Sequence, residues 1–191
     1  MLKIFTVFCL LLSALLPGMA VAGPTGMPEP ELRARLAAAI SAAGSFDDKY
    51  EAQVWLLDYS NRLQRYLPDE HQRLDFLRQV HAEAKRARLQ PELVLSVIHI
   101  ESRFDRHAIS YAGAVGYMQI MPFWLTELGR QGDNLFSAQT NLRMGCTILR
   151  FYLDKERGDV FRALARYNGS LGRSEYPTKV LDTLRSRYQA F

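Results

Sequence analysis

Apolar residues recur along most of the chain at intervals of three and four positions, which is the spacing of one face of an α-helix. Glycine, proline and side chains that can cap a helix separate these periodic segments. Helices are predicted over residues 31–43, 47–66, 69–88, 91–102, 122–128, 138–157 and 160–167, and a last helix is predicted to begin at Pro177. A short extended stretch is expected near residues 111–118. The pattern therefore predicts an all-α fold.

The first 22 residues have a different character from the remainder of the chain. Lys3 is their only charge, an apolar stretch runs from residue 4 to residue 16, and the small residues Ala20 and Ala22 precede Gly23. This layout is typical of a secretory signal peptide cleaved near Ala22, and the apolar stretch is short for a membrane span. An uncleaved anchor is the alternative. The flanking residues favour cleavage, and hence a periplasmic protein.

The chain divides into a signal peptide at residues 1–22, a Pro/Gly-rich leader and helical N-terminal extension at residues 23–68, and a helical domain at residues 69–191. The length that follows the signal peptide suits one domain with a single core. Apolar residues of the extension, Trp55 among them, need burial. Packing of the extension on the domain is therefore favoured over its use in binding a partner from the cell-envelope machinery.

Composition and charge exclude several kinds of chemistry. A formal net charge of +4 is too small to argue for nucleic-acid binding. Only one cysteine, Cys146, lies beyond the signal peptide, so no internal disulfide is expected in the mature chain. Cys146 shares a helical stripe with Leu142 and Leu149, which predicts a buried, inert thiol. The four histidines form no metal-ligand pattern, and no metal or cofactor is predicted.

The helix predicted at residues 91–102 places a carboxyl group on its apolar side. Glu101 shares one helical stripe with the apolar residues Val94, Val97 and Ile98. Burial and the negative end of the helix dipole both favour the protonated form of such an acid. A carboxylic acid that stays protonated near neutral pH can act as a general acid. The alternative that this pattern leaves open is a buried ion pair with Arg103 or Arg106.

The loop after this helix is dense in glycine and alanine and also carries polar and sulfur-containing side chains. Gly113 and Gly116 allow close approach of the backbone and unusual φ angles. Ser110 and Gln119 can hydrogen-bond amide and hydroxyl groups, and two methionines offer soft apolar contacts. This mixture suits a groove for an amphiphilic ligand such as an N-acetylated sugar.

Four ordered sequence blocks resemble one known family. The first contains Glu101, Ser102, Phe104 and Ser110 and continues through residues 113–122. The others are Asn141-Leu142 with Gly145, the block at residues 163–168, and Tyr176 with Val180-Leu181. Together they resemble the soluble lytic murein transglycosylase (SLT) family, which is lysozyme-like and related to goose-type lysozymes. The resemblance covers about residues 69–188 and implies a lysozyme-like helical domain.

The resemblance implies an enzyme that cleaves the glycosidic bond between N-acetylmuramic acid and N-acetylglucosamine in peptidoglycan. Glu101 matches the single catalytic glutamate, which first protonates the leaving oxygen and then accepts a proton from the muramoyl 6-hydroxyl. The product would carry an anhydromuramoyl end. Tyr167 matches a tyrosine near the reaction centre, and we expect its hydroxyl to point toward the Glu101 carboxyl.

The resemblance also implies a set of substrate-binding residues. They are Ser110, Gly116, Tyr117, Met118, Gln119, Met121 and Asn168. Tyr117 stands where the family usually has leucine, and it either offers a surface for stacking a sugar or fills the core. The chain also departs from the family's usual YNAGPG run, because YNGSLG begins at Tyr167.

The implied partners are peptidoglycan glycan strands, with no nucleic acid, and with membrane contact only through the signal peptide during export. No cofactor is implied. Two other functions stay open on this sequence. One is a hydrolytic muramidase on the same fold, and the other is a murein-binding or secretion-machine component with little activity of its own. The presence of both Glu101 and Tyr167 disfavours a non-catalytic role.

Overall fold

The computed structural model describes residues 49–127 and 131–189. In these ranges the chain forms seven α-helices and, apart from isolated bridges, no strand. The helices are α1 (Lys49–Leu63), α2 (Glu70–Arg86), α3 (Pro91–Glu101), α4 (Phe123–Glu127), α5 (Ala138–Lys155), α6 (Val160–Tyr167) and α7 (Glu175–Thr183), and a π-helical turn (Leu184–Tyr188) follows the last. The all-α prediction is confirmed. The predicted signal peptide, the leader and the helix at residues 31–43 lie outside the described residues.

Two of the helix starts follow from capping side chains that are visible in the sequence. The Asp69 carboxylate accepts a hydrogen bond from the Gln72 amide at 2.7 Å and begins α2. Asp159 begins α6 in the same way, through a first-turn amide at 3.0 Å. The last helix differs from its prediction, because α7 begins at Glu175 and not at Pro177. A proline is tolerated in the first turn, where the backbone amides have no partner within the helix.

Helix α3 lies at the centre of the hydrophobic core. Residues 93–98 are all buried, and the helix packs against α2, α7 and the π-helical turn. A second set of contacts joins α5 to α2 and α6. Cys146 on α5 is fully buried, as its apolar stripe predicts, and burial raises the pKa of its thiol to about 12. No helix within the described ranges combines the length and the apolar character needed to cross a bilayer.

Helix α1 packs into the same core as the helices that follow it. Leu56 is fully buried, and the Tyr59 hydroxyl donates a hydrogen bond of 2.5 Å to the Tyr188 carbonyl at the end of the π-helical turn. The Arg73 guanidinium on α2 donates to the Ser60 hydroxyl at 2.9 Å. The described part of the N-terminal extension is therefore held by packing, which agrees with the need to bury its apolar residues.

Candidate active site

Glu101 is the last residue of α3, and its carboxyl group is largely removed from solvent. Burial raises its pKa from the ordinary value of 4.5 to about 7. The ion pair left open by the sequence does not form, because Arg103 and Arg106 are both exposed. The backbone has φ values of 51° at Arg103 and 66° at Phe104, and it places Phe104, not an arginine, in the core. No other described basic side chain lies within ion-pair distance of Glu101.

Tyr176 is the hydrogen-bonding partner of the Glu101 carboxyl group. Its hydroxyl donates to Glu101 Oε1 at 2.6 Å. The tyrosine is buried in the first turn of α7, the helix that packs directly against α3. This hydrogen bond stabilises the carboxylate and lowers the pKa of Glu101, in opposition to the larger effect of burial. The balance of the two effects leaves a carboxyl group that can exist in either protonation state near neutral pH.

Tyr167 makes a different contact from the one expected. Its hydroxyl donates to the Met118 carbonyl at 2.7 Å, whereas the prediction pointed it toward Glu101. Burial, and then the nearby Glu101 charge, raise the pKa of Tyr167 well above its ordinary value, so the two side chains are still neighbours. Tyr176 was part of the family resemblance but had no assigned role. Its place opposite Glu101 follows from the packing of α7 on α3, which local sequence pattern does not reveal.

The loop between α3 and α4 folds back on itself beside the end of α3. Val115 and Ile120 exchange backbone hydrogen bonds of 3.0 and 2.9 Å, and Ile109 forms a second antiparallel bridge with Val115. The expected extended stretch is thus reduced to these isolated bridges. The Ser102 hydroxyl donates to the Tyr117 carbonyl at 2.8 Å, which ties the loop to the residue that follows Glu101.

Asn141 joins this loop to α5 through three hydrogen bonds. Its Oδ1 accepts from the Met118 amide at 2.8 Å, and its Nδ2 donates to the carbonyls of Val115 and Leu135 at 2.8 and 2.9 Å. The side chain is fully buried. The Met118 amide and the Leu135 carbonyl would otherwise lack a hydrogen-bond partner among the described residues, whereas the Val115 carbonyl also accepts from the Ile120 amide. The sequence marked Asn141 only as part of a resemblance, and its structural role emerges from these contacts.

Two glycines allow the loop and α5 to approach each other closely. Gly116 has a φ of 78°, and a Cβ atom there would lie 2.4 Å from Asn141 Nδ2. A Cβ atom at Gly145 on α5 would lie 2.3 Å from the Met118 sulfur. Both positions therefore require glycine for packing. Gly116 itself is buried, so its contribution to any groove is through the position of the loop backbone.

The structure divides the predicted substrate-binding residues into two groups. Gly116, Tyr117 and Met118 are buried. The Tyr117 ring packs against Phe76 with ring centroids 4.6 Å apart, and the residue is only 6% exposed. The idea that Tyr117 stacks on a sugar is therefore wrong for this structure, and its alternative as a core residue is correct. Met118 likewise fills the core, because its side chain packs on Gly145.

The second group has side chains that reach the surface. Ser110, Gln119 and Met121 are partly exposed, and Asn168 is exposed. Some of their polar atoms also shape the loop: the Ser110 hydroxyl accepts from the Ala114 amide at 3.0 Å, and the Gln119 amide group donates to two loop carbonyls at 3.2 and 3.0 Å. These four residues can contact a ligand that lies along the loop.

The described residues contain no group of three or more histidine, cysteine, aspartate or glutamate side chains arranged to hold a metal ion. His99 lies two positions before Glu101 in the sequence, but its ring contacts tyrosine hydroxyls and not the Glu101 carboxyl group. Its Nδ1 lies 2.7 Å from the Tyr188 hydroxyl. This contact gives His99 a structural role between α3 and the π-helical turn.

A central helix that ends on a buried acid, beside a glycine-rich loop in an all-helical domain, defines a lysozyme-like protein. Comparison with known families makes the assignment specific. Residues 78–181 match the family described as "Transglycosylase SLT domain", and this match includes every residue of the candidate site. The match spans more than half of the chain, and the chain belongs to this family.

Individual relatives carry related names. The chain is 32% identical over 112 residues to a transglycosylase of Enterobacteria phage PRD1, a match that covers 55% of this chain and 41% of the phage protein. It is 30% identical over 127 residues to membrane-bound lytic murein transglycosylase C of Histophilus somni, covering 58% of this chain and 32% of that protein. It is 43% identical over 47 residues to the Actinobacillus pleuropneumoniae protein of the same name, a match that covers 25% of this chain and 13% of that protein. The matches thus span less than half the length of these relatives.

Proposed function

We propose that this protein is a peptidoglycan lytic transglycosylase that cleaves the bond between N-acetylmuramic acid and N-acetylglucosamine. The observation that carries the proposal is the Glu101 carboxyl group, whose pKa of about 7 suits both donation and acceptance of a proton at neutral pH. Membership of the Transglycosylase SLT domain family and the names of the relatives support the same reaction.

In the first proposed step, Glu101 donates its proton to the glycosidic oxygen, and the bond from this oxygen to the anomeric carbon of muramic acid breaks. The Tyr176 hydroxyl occupies Glu101 Oε1, so Oε2 is the oxygen left to carry the proton. The same hydrogen bond stabilises the carboxylate that remains after proton transfer. The buried charge therefore forms with a partner already in place.

The substrate supplies the attacking group in both steps. The carbonyl oxygen of its own N-acetyl group bonds to the anomeric carbon as the leaving sugar departs. The muramoyl 6-hydroxyl then attacks this carbon, displaces the acetyl oxygen and gives its proton to the Glu101 carboxylate. The acid is regenerated, the product carries an anhydromuramoyl end, and no water is consumed.

The lytic reaction is favoured over hydrolysis because Glu101 is the single carboxyl group that the described part of the chain brings to the candidate site. Most glycosidases use two carboxyl groups, about 5–9.5 Å apart, of which the second attacks the sugar or activates water. No other carboxylate of the described residues perturbs the pKa of Glu101. A hydrolytic muramidase on this fold is the second candidate, and it would use water in place of the 6-hydroxyl.

Other residues have proposed supporting roles. The partly exposed Ser110, Gln119 and Met121, with Asn168, are proposed to contact the glycan strand along the loop. Tyr167 is proposed as a positioning residue, because its hydroxyl holds the Met118 carbonyl and thereby the loop beside Glu101. These roles are supported by exposure and hydrogen bonding together with the family resemblance.

Location in the Gram-negative cell envelope is part of the same proposal. It is supported by the signal-peptide pattern of the first 22 residues and by relatives that are named membrane-bound lytic murein transglycosylases. Cleavage near Ala22 would leave a periplasmic protein with peptidoglycan strands as its substrate.

Digestion of purified sacculi, with mass analysis of the released sugars, tests the reaction. We expect anhydromuramoyl ends, whose mass is lower by one water than that of the corresponding reducing ends. Reducing muramoyl ends as the main product would identify a hydrolase. Failure to release any sugar would favour a murein-binding component without activity of its own.

Replacement of Tyr176 with phenylalanine should slow the reaction by about 10- to 100-fold, the effect of losing one hydrogen bond to a charged group. The Tyr176 hydroxyl lowers the pKa of Glu101, so its removal should raise that pKa. The alkaline limb of the pH–rate profile, where the acid loses its proton, should therefore move to higher pH. The measurement is the initial rate of soluble product release between about pH 5 and pH 9.

Tyr167→Phe is the matched control for this experiment, since the Tyr167 hydroxyl bonds the Met118 carbonyl and not Glu101. We expect this variant to lose stability and activity through a loosened loop, while the alkaline limb stays in place. An unmoved limb in Tyr176→Phe, or an equal movement in both variants, would contradict the assigned contact between Tyr176 and Glu101.

A further inference from the structure

A second polar site lies beside His99, which projects from α3 about 200° around the helix from Glu101. Here the surface forms a depression of about 310 Å³ between the end of α1, α3 and the π-helical turn. We call it the arginine pocket after three of its lining residues. The residues that line it are Arg62, Arg65, Arg187, Tyr66, Tyr188, His99 and Ser186, whose hydroxyl proton is used in a hydrogen bond to the Asp182 carbonyl. None of these residues has a role in the proposed murein reaction.

The charges of the arginine pocket are not balanced by its own side chains. Arg62 is paired with Asp58 at 2.8 Å, and it also donates to the Arg187 carbonyl at 2.5 Å. Arg65 lies over the Tyr66 ring, with 4.6 Å from its guanidinium carbon to the ring centroid, and has no carboxylate partner among the described residues. The Arg187 guanidinium likewise has no hydrogen-bond or ion-pair partner in the described ranges. Two positive charges are therefore left facing one depression.

One hydroxyl proton at the floor of the arginine pocket has no acceptor among the side chains there. Arg65 donates to the Tyr66 hydroxyl at 2.5 Å, and the two ring nitrogens of His99 lie 3.3 Å from Tyr66 Oη and 2.7 Å from Tyr188 Oη. A neutral imidazole has one donor and one acceptor nitrogen. If Tyr66 donates to His99, then His99 donates to Tyr188 and leaves the Tyr188 proton unused. In the other tautomer the Tyr66 proton is unused.

We propose that the arginine pocket binds an oxyanion of the phosphate class. The pocket presents two guanidinium groups without carboxylate partners and one surplus hydroxyl proton, and the residues lining it include no carboxylate. A phosphate dianion matches the two charges and offers acceptor oxygens in several directions, whereas a carboxylate offers two oxygens in one plane. Free phosphate and the headgroup of an anionic phospholipid share this chemistry.

Titration of the folded protein with inorganic phosphate, followed by NMR, tests the proposal. Sodium chloride holds the ionic strength constant, so that screening does not change along the titration. We expect saturable chemical-shift changes confined to the residues around the pocket. A linear response, or changes spread over the whole surface, would overturn the proposal because they would indicate diffuse electrostatic attraction.

Arg65→Gln and Arg187→Gln should each weaken phosphate binding by about tenfold or more, since each removes a charge-assisted hydrogen bond. Both arginines are exposed, so the variants should keep the fold. Lys179→Gln removes the same charge from an exposed position on α7 and is the matched control. Equal affinities in all three variants would show that net charge, and not the pocket, determines binding.

The ring of His99 provides an independent readout. Burial has the largest effect on the pKa of His99 and lowers it. The nearby charges of Arg187, Arg65 and Arg103 lower it further, to about 4. A bound anion would offset these positive charges, so phosphate should raise the pKa of His99. The groups that face the ring are the guanidiniums of Arg187, Arg65 and Arg103 and the hydroxyls of Tyr66 and Tyr188. An unchanged pKa at saturating phosphate would contradict binding in the pocket.

The source of the anion is resolved by a second arm with vesicles. The protein is sedimented with neutral-lipid vesicles that contain phosphatidylglycerol and, for comparison, with neutral-lipid vesicles alone. The difference between the two measures binding to the anionic headgroup. Loss of sedimentation in Arg187→Gln but not in Lys179→Gln would assign the pocket to a lipid headgroup. Saturable phosphate binding without sedimentation would assign it to a free or soluble phosphate. If the protein neither binds phosphate saturably nor sediments with the anionic vesicles, the proposed site is rejected.

Discussion

Glu101→Gln should reduce cleavage of peptidoglycan by at least about 10³-fold, within the range for loss of a general acid and base. An amide can neither give a proton to the glycosidic oxygen nor accept one from the 6-hydroxyl. The amide keeps the shape of the side chain and an oxygen to accept the Tyr176 hydrogen bond. The loss should therefore appear in activity while the helical circular dichroism spectrum is retained.

The same variant should be more stable than the native protein at alkaline pH. The folded state holds the Glu101 proton up to about pH 7, whereas the unfolded chain releases it near the ordinary value of 4.5. Between these values the unfolded state binds fewer protons, so the native protein loses stability as pH rises through this window. Glutamine has no such proton, and its advantage should reach roughly 3 kcal/mol at pH 8 and vanish below about pH 4.

The measurement is chemical denaturation at several pH values, with the cleavage assay on the same preparations. Glu175→Gln is the control, because this carboxyl group is exposed at the start of α7 and precedes Tyr176 in the chain. It should keep its activity and lack the stabilisation specific to alkaline pH. Retained cleavage in Glu101→Gln would remove Glu101 from the mechanism, and equal stability at pH 8 would contradict a buried, protonated acid.

Asn141→Ala should destabilise the protein by about 4 kcal/mol. The substitution removes all three hydrogen bonds and leaves the Met118 amide and the Leu135 carbonyl unpaired, while the Val115 carbonyl keeps its bond from the Ile120 amide. Each buried backbone group left unpaired costs about 1–3 kcal/mol. Because the Tyr167 hydroxyl also bonds this part of the loop, we expect activity to fall along with stability. Urea unfolding and the sacculus assay measure the two effects.

Asn61→Ala provides the comparison for this loss. Asn61 is exposed on α1, where alanine favours the helix, so the free energy of unfolding should change little or rise slightly. Hydrogen exchange would add a local test, since the Met118 amide should lose protection in Asn141→Ala. Full protection and native stability in that variant would show that Asn141 is not the residue that holds the loop.

Prediction from sequence succeeded where the cause lies within a few residues. Helical spacing and the apolar stripe that carries Cys146 act over one or two turns of chain. The position of Glu101 at the end of a buried helix follows from the same periodicity. Its raised pKa could be anticipated for this reason, because burial is the dominant cause of the shift.

Contacts between distant residues required the tertiary structure. Tyr167 and Tyr176 are both far from Glu101 in the sequence. It is Tyr176, 75 residues away, whose hydroxyl reaches the Glu101 carboxyl group. That choice depends on the packing of α7 on α3. The burial of Tyr117 against Phe76 likewise depends on how the loop sits on α2. A side chain's direction in space is set by the angles at which helices pack, and these angles are not encoded in any short run of residues.

The sequence alone determined that the described part of this chain is helical and that an acid lies at the end of its central helix, because helical periodicity is a local property. Only the tertiary structure decided which hydroxyl stabilises that acid, how Asn141 holds the loop, and that two arginines face one pocket without a carboxylate. These outcomes rest on hydrogen bonds and charges brought together from separate helices, whose geometry arises when the core packs as a whole.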